Sequence, residues 1–393
     1  MIINKAEPEP GRARVPRAGD SQVEVAVKAL LRLIWVNGLG PGDRLPTHWE
    51  LCRRIGVSTH SLTPAMRRLV GAGVLARKPK AGTVVIDPDA YREPLWRVGV
   101  AENFETLRGA SPFFSVLGAC VQNELVRGGC WPRLYLRQMP TERHSDALAD
   151  YPRLAADAAS GLLDAAICLG NLDRGAWRRV AGNAPLCGFN EVSECGAQID
   201  LRTMVREAVR CLVAQGARRV AVVRKARHPA ERDLRAGFSE GLAVAGLKQQ
   251  TMGNASAAPK ASATLTNTVT HMMAGARVAQ SLLALPAARR PDGLIVLDDY
   301  MAAGLTAVLR EGGGYRPRIA VVTHLQAPQV YALPVLRFEL DIAELARRGV
   351  AILAARLRNP DLPGRVEWVA PRLLARQELS FPDIAQYGAV PEP

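Results

Sequence analysis

Apolar residues recur along this chain in two rhythms, and the rhythm changes after residue 92. The first is helical. Val23, Val27, Leu30, Leu31 and Ile34 mark one face of a helix over Ser21–Trp35, closed by Asn37-Gly38. Thr47-His48-Trp49-Glu50 has the form of a capping box, in which the threonine hydroxyl and the glutamate three residues on satisfy each other's backbone N–H. Leu51 and Ile55 then give a short stripe, and Gly56 stands where a left-handed residue ends a helix. Ser58 can cap the next helix, whose Leu62, Ala65, Met66, Leu69 and Val70 fall at i, i+3, i+4, i+7 and i+8. Pro64 lies inside it and removes a backbone hydrogen bond, so this helix is expected to begin late, near Ser61. Val74–Arg77 and Thr83–Ile86 read as two short strands joined by a basic turn. Three helices with a cationic hairpin form a shape that docks on duplex DNA.

The second rhythm alternates short runs of Val, Ile, Leu and Ala with amphipathic helices. Strands are expected at Arg97–Ala101, Leu134–Leu136, Asp164–Leu169, Pro185–Phe189, Arg219–Val223, Pro291–Leu297 and Arg318–Thr323. Helices are expected at Phe113–Val126, Leu154–Leu163, Met204–Gln215, Arg232–Ala245 and Met272–Leu285. Continuous apolar strands between helices imply parallel sheets covered on both faces, an α/β fold.

Charge sharpens the division. The 393 residues carry a formal net charge of +14, yet residues 1–92 hold 15 Lys/Arg against 8 Asp/Glu. A basic front on a more balanced body suits contact with phosphates. Residues 1–20, with Glu7-Pro8-Glu9-Pro10 and no apolar core, read as a disordered basic arm rather than a secretion signal. The seven cysteines are dispersed without a Cys-x-x-Cys pair or metal-ligand spacing, so reduced cytosolic thiols are expected, and no metal site. No apolar run reaches the ~18–20 residues of a membrane span.

Gly38-Leu39-x-Pro41-Gly42-Asp43-x-Leu45-Pro46, Leu51, Gly56-Val57-Ser58, Ala65-x-x-x-Leu69, Gly73-x-Leu75 and Gly82-Thr83-x-Val85 resemble the GntR-type winged helix of bacterial transcription regulators. The resemblance implies a winged helix-turn-helix over 21–87 that binds double-stranded DNA, with Thr59, His60, Ser61 and Thr63 as base readers. Arg44, Arg53, Arg67, Arg68, Arg77, Lys78 and Lys80 are then the expected phosphate contacts, and Thr47 and His48 join the same surface. GntR-type heads usually present arginines where this chain has Trp49, Thr59 and Thr63, which implies a different operator rather than loss of binding.

Residues 88–96 read as a linker, with Asp87-Pro88 and Glu93-Pro94 at its ends. From 97 to 385 the order of segments resembles the sensor domain of LacI/GalR regulators, which shares its fold with periplasmic sugar-binding proteins. Ser111-Pro112-Phe113-Phe114, Gly216-x-Arg218-x-Val220 with Arg235-Ala236-Gly237-Phe238, Pro291-Asp292-Gly293 through Asp299-x-Met301-Ala302-x-Gly304, and Val369-x-Pro371-x-Leu373-Leu374-x-Arg376 carry it. The resemblance implies two lobes, with chain crossings expected near 189–191, 323–328 and 338–341. A small-molecule effector, such as a sugar, would lie between them at the carboxyl ends of the strands.

Asn103, Phe104, Phe113 and Asp299 are its expected contacts, although Asp299 could equally cap the helix that follows it. The family's arginine slot is filled by Leu234, leaving Arg232 and Arg235 as substitutes. The whole then implies a cytoplasmic, ligand-controlled repressor, a homodimer on a palindromic operator, with no cofactor. The alternative is an aminotransferase body using pyridoxal phosphate. It needs a Schiff-base lysine, and beyond residue 92 there are only Lys225, Lys248 and Lys260, none in a Ser-x-x-Lys setting.

Overall fold

Helix ends with matched caps set the N-terminal head. In a computed structural model of the chain, the described residues are 21–79, 82–91, 93–102, 112–137, 148–170, 172–189, 195–224, 230–247, 253–254, 268–326 and 328–374. Helix α1 (Gln22–Val36) begins at a Ser21/Glu24 capping box, and α2 (His48–Ile55) at the Thr47/Glu50 box expected from the sequence. Gly56, at φ +68°, ends α2 in the left-handed region that a side chain would resist. Helix α3 (Thr59–Gly71) buries Leu62, Ala65, Met66 and Leu69. It starts at Thr59 and not near Ser61, because Ser58 caps it by accepting the Ser61 N–H. Pro64 removes a single i to i−4 bond further in, and the helix continues through it. Strands β1 (Leu75–Lys78) and β2 (Gly82–Val85) pair antiparallel, Leu75 opposite Val85, as the wing.

The body opens with β3 (Trp96–Glu102), α4 (Pro112–Arg127), β4 (Cys130–Leu136), α5 (Pro152–Ala159), β5 (Ala165–Cys168), α6 (Arg174–Ala181), β6 (Leu186–Gly188) and β7 (Gly196–Ile199). Next come α7 (Leu201–Ala214), β8 (Val220–Val223), α8 (Glu231–Val244), β9 (Gly253–Asn254), α9 (Thr268–Ala284), β10 (Gly293–Val296), α10 (Asp299–Glu311), β11 (Arg318–His324) and β12 (Leu336–Leu340). The chain finishes with α11 (Ile342–Arg358), β13 (Val366–Val369) and β14 (Arg372–Leu373).

Two six-stranded sheets result, ordered β13-β7-β6-β5-β3-β4 in the first lobe and β14-β12-β11-β10-β8-β9 in the second. Every pairing is parallel except β12 with β14. The strands read as uninterrupted apolar runs because helices cover both faces; β5, β8 and β10 are buried at every position.

The chain passes between lobes at Asp200, at Asp341 and at residues 370–371. This corrects two of the three expected crossings. The strands on either side of 189–191, β6 and β7, are neighbours in the first sheet, and those on either side of 323–328, β11 and β12, are neighbours in the second, so neither place is a crossing. Only the crossing near 338–341 falls where the sequence suggested. Asp200 and Asp341 each cap the helix that enters the next lobe, accepting the N–H of Thr203 and of Glu344.

The head does not hang from a free tether. A single apolar core runs from Leu30, Leu31 and Ile34 of α1 through Trp96 into Leu353 and Leu357 of α11. Across this seam the Lys28 ammonium meets the Asp164 carboxylate at 3.0 Å with both side chains buried. Asp164 also accepts the Arg97 backbone N–H. Arg32 donates to the Leu357 carbonyl at 3.1 Å and lies over the Trp96 ring, while Arg358 lies over Trp35 and pairs with Asp89.

Candidate functional site

Two surfaces collect the residues singled out by sequence. On the head, Arg44, Arg53, Thr59, His60, Arg67, Arg77 and Lys78 are exposed. Lys80, in the wing turn, lies outside the described residues. Thr47 is engaged with Glu50, its hydroxyl 2.7 Å from the carboxylate, and that bond holds the Glu50 carboxyl below its usual range. His48 and Thr63 face each other across α2 and α3, Nε2 to Oγ1 at 3.2 Å, so the two helices present them as a pair.

Two candidates are displaced. Ser61 is buried and bonded to Ser58, so it serves the helix start and does not face a groove. Arg68 turns away from the exposed cations: its Nε donates to Glu93 at 2.8 Å and its guanidinium lies over Tyr91. Arg68 in turn holds the Glu93 carboxyl below the ordinary range. An i+4 or i+3 count from α3 cannot reveal this, because Glu93 returns from beyond the wing.

Trp49, which the sequence marks only as standing where GntR-type heads usually carry an arginine, belongs to the same head. Its ring is 67% exposed at the start of α2, with the Arg53 guanidinium 5.2 Å from its centroid. An indole this open contributes little to the fold, and the cation over it gives it a flat, positively charged face at the start of α2.

The second surface is the cleft edge formed by the carboxyl ends of β8, β10 and β11. Asp299 is 3% exposed; its Oδ2 meets His324 Nδ1 at 3.0 Å and its Oδ1 accepts the Tyr300 N–H. It does not cap α10. Asp298 does, accepting from Met301, and Asp298 also meets His271 Nδ1 at 2.6 Å. Phe113, at the start of α4 in the first lobe, lies 4.8 Å from the His324 ring in the second. Phe113, His324 and Asp299 therefore form one inter-lobe stack. The Tyr331 hydroxyl is buried without a hydrogen-bond partner, and burial raises its pKa. Asn103 and Phe104 lie outside the described residues.

Arg232 and Arg235 do not reach this edge. Arg232 is exposed, and Arg235 is exposed and paired along α8 with Glu231 at 2.7 Å. Leu234 between them is fully buried in the second-lobe core, which turns both arginines outward. The buried guanidinium at this edge is Arg224, one residue beyond β8, at 2.6 Å from Glu231. Its signal in the sequence is the first cation of Arg224-Lys225-Ala226-Arg227, which directly follows an apolar strand. Replacing Asp299 by Ala leaves the buried His324 nitrogen without its partner and is expected to destabilise the second lobe by about 1–3 kcal/mol in denaturant titration. Asp299→Asn keeps an acceptor there and should lose less.

Against known proteins, residues 22–85 match the family described as bacterial regulatory proteins, gntR family, and residues 209–377 match a periplasmic binding protein-like domain. No curated protein matches the chain in sequence. Among solved structures, a LacI-family regulatory protein from Chloroflexus aggregans is 21% identical, with 71% of this chain and 97% of that one covered and a TM-score of 0.54. A complex of the transcriptional regulator CelR with cellobiose is 16% identical over 89% of this chain and 98% of that one, TM-score 0.53. The lac repressor dimer bound to operator and the anti-inducer ONPF is 15% identical over 71% and 92%, TM-score 0.53. The chain thus joins a gntR-type winged helix to a periplasmic-binding-protein-like body whose fold is that of LacI-family regulators. These are the parts of a ligand-responsive transcription regulator, and among the described residues no helix is long and apolar enough to cross a membrane.

Proposed function

We propose that this protein is a cytoplasmic repressor whose head, residues 21–87, grips a palindromic operator as one half of a homodimer. A sugar-class effector bound between the lobes of residues 97–385 then resets the spacing of the two heads. One observation carries this reading: α11 starts at the Asp341 crossing and ends in the seam that seats the head, at Leu357 and Arg358. Motion of one lobe against the other therefore acts on the head through a continuous helix. A two-headed regulator binds well only when head separation matches half-site spacing, so small rotations suffice.

The hydroxyl-rich cellobiose in the CelR complex and the paired repressor in the operator complex support sugar and dimer respectively. Within the cleft, Asp299, His324 and the Tyr331 hydroxyl are the groups proposed to meet ligand hydroxyls, with Phe113 as the stacking face. The parallel, two-lobed body favours this over the aminotransferase alternative. The test is a selection of genomic fragments by the full chain, repeated with a panel of mono- and disaccharides. One fragment class should be enriched and then released by one sugar; enrichment that no sugar alters would remove the effector from the reading. A bound sugar at 100 times its Kd should also stabilise the protein by about 2.7 kcal/mol.

Trp49 gives a sharper probe of the surface. Trp49→Ala should leave stability within about 0.5 kcal/mol of the parent, as an exposed substitution does. It should still weaken binding to the selected fragment, measured by fluorescence anisotropy. Unchanged affinity would move the DNA face away from the start of α2.

A further inference from the structure

Beneath α11, two thiols meet. Cys187 in β6 and Cys195, just before β7, are both buried, and their sulfurs lie 2.9 Å apart. The contact is built by the sheet. Gly188 pairs with Gly196 in parallel register and donates its N–H to the Cys195 carbonyl, so the two cysteines occupy matching places on neighbouring strands. Neighbouring strands lie ~4.8 Å apart, inside the ~4.4–6.8 Å that a disulfide needs between its Cα atoms. Gly196 makes this approach possible: at φ +135°, a Cβ there would overlap the Gly188 carbonyl.

A cation faces the pair from one side. Arg356 of α11 points Nη1 at the Cys195 sulfur from 3.7 Å, and its Nε has no hydrogen-bond partner. The hydrogen bond from Cys187 and the guanidinium hold the Cys195 thiol below its ordinary pKa, while Cys187 is raised. A low-pKa thiol beside a second thiol is the arrangement of a nucleophilic and a resolving cysteine. Arg356 is followed directly by Leu357 and Arg358, the residues that hold Arg32, Trp35 and Asp89 of the head side.

We propose that Cys187 and Cys195 form a peroxide-responsive modification site, whose closure to a disulfide takes from Arg356 the Cys195 sulfur it faces and loosens the seat of the head on α11. The Cys195 thiolate attacks one peroxide oxygen; the O–O bond breaks, giving a sulfenic acid and, after protonation, water. The Cys187 sulfur then displaces the sulfenic hydroxyl, its own proton leaving with it as a second water. Two thiols and one hydrogen peroxide become one disulfide and two waters, and an added dithiol reverses the change. The site stands on the thiols and the seam alone, whether or not the head binds an operator.

The full chain is treated with hydrogen peroxide, alkylated and mapped by peptide mass, with protease sensitivity of residues 86–95 followed in parallel. Of the seven cysteines, Cys187 and Cys195 should be the pair recovered as one cross-linked peptide, reversibly with dithiothreitol. Cleavage in 86–95 should quicken about tenfold on oxidation as the seam opens more often. Arg356→Gln, which keeps both sulfurs, should slow disulfide formation about tenfold at neutral pH by reducing the thiolate fraction. Cys187→Ala should stop cross-linking and leave Cys195 as a trapped sulfenic acid. Recovery of both cysteines as free thiols while others oxidise overturns the site. A cross-link that leaves cleavage unchanged overturns its coupling to the head.

Discussion

Asp164→Ala should lower the stability of the head and first lobe together by about 3–5 kcal/mol, the loss found when one member of a buried ion pair is removed. The reasoning is local. Asp164 precedes β5 in the body and Lys28 sits mid-way along α1 in the head, and the two meet with side chains 3% and 7% exposed. Deleting the carboxylate takes from the buried Lys28 ammonium the anion it meets beside Trp96, and takes an acceptor from the Arg97 N–H. An exposed pair of the same geometry would contribute only about 0–1 kcal/mol, so the size of the loss reports how dry the seam is. A double change, Lys28→Met with Asp164→Leu, should recover most of it, since replacing both charges by apolar groups of similar size is often neutral. Guanidinium unfolding followed by tryptophan emission measures both, because Trp35 and Trp96 lie in this seam. A loss under about 1 kcal/mol for Asp164→Ala would mean that water reaches the pair, and that the head is tethered rather than seated.

How far this arrangement could be read in advance depends on what kind of contact makes it. Features written within a few residues were legible. The Thr47/Glu50 box, the Gly56 stop and the buried face of α3 all follow from spacing along one segment, and the structure has them. So do the apolar strands β5, β8, β10 and β11. The lobe crossings were not legible, because they depend on which sheet a strand joins: β7, Gly-Ala-Gln-Ile, has no apolar run to announce it, and without β7 the first crossing is placed too early. Helix α11 went unassigned, although it carries the link from crossing to head. The roles of Ser61 and Arg68 failed for a related reason: each takes its partner from the fold, Ser61 from the helix start and Arg68 from Glu93. At the cleft, the resemblance pointed to Asp299 but not to its partner His324, which comes from the end of β11, and Arg224, not Arg232 or Arg235, is the buried guanidinium.

Binding to duplex DNA should weaken steeply with salt, and the structure sets the scale. With Arg68 bonded to Glu93, the cations proposed to meet phosphates are Arg44, Arg53, Arg67, Arg77 and Lys78, all exposed, together with Lys80, which lies outside the described residues. If most reach phosphates, raising salt from 50 to 200 mM should lower affinity by about 10³–10⁵, the range for 6–10 contacts, with a double-headed assembly toward the upper end. Arg77→Ala with Lys78→Ala, both exposed at the end of β1, should reduce the log–log salt slope by about 2 per head and weaken every duplex alike. His60→Ala, by contrast, should change which fragment is preferred while leaving the slope alone, because a base contact releases no counterion. Arg68→Ala separates the two roles: it should leave the salt slope intact yet destabilise the join between head and body, since its partners are Glu93 and Tyr91. Anisotropy titrations across a salt series, run beside thermal melts of the same variants, give both quantities. A slope that falls for Arg68→Ala as much as for the wing variants would return Arg68 to the DNA face and require the head to leave its seat when it binds.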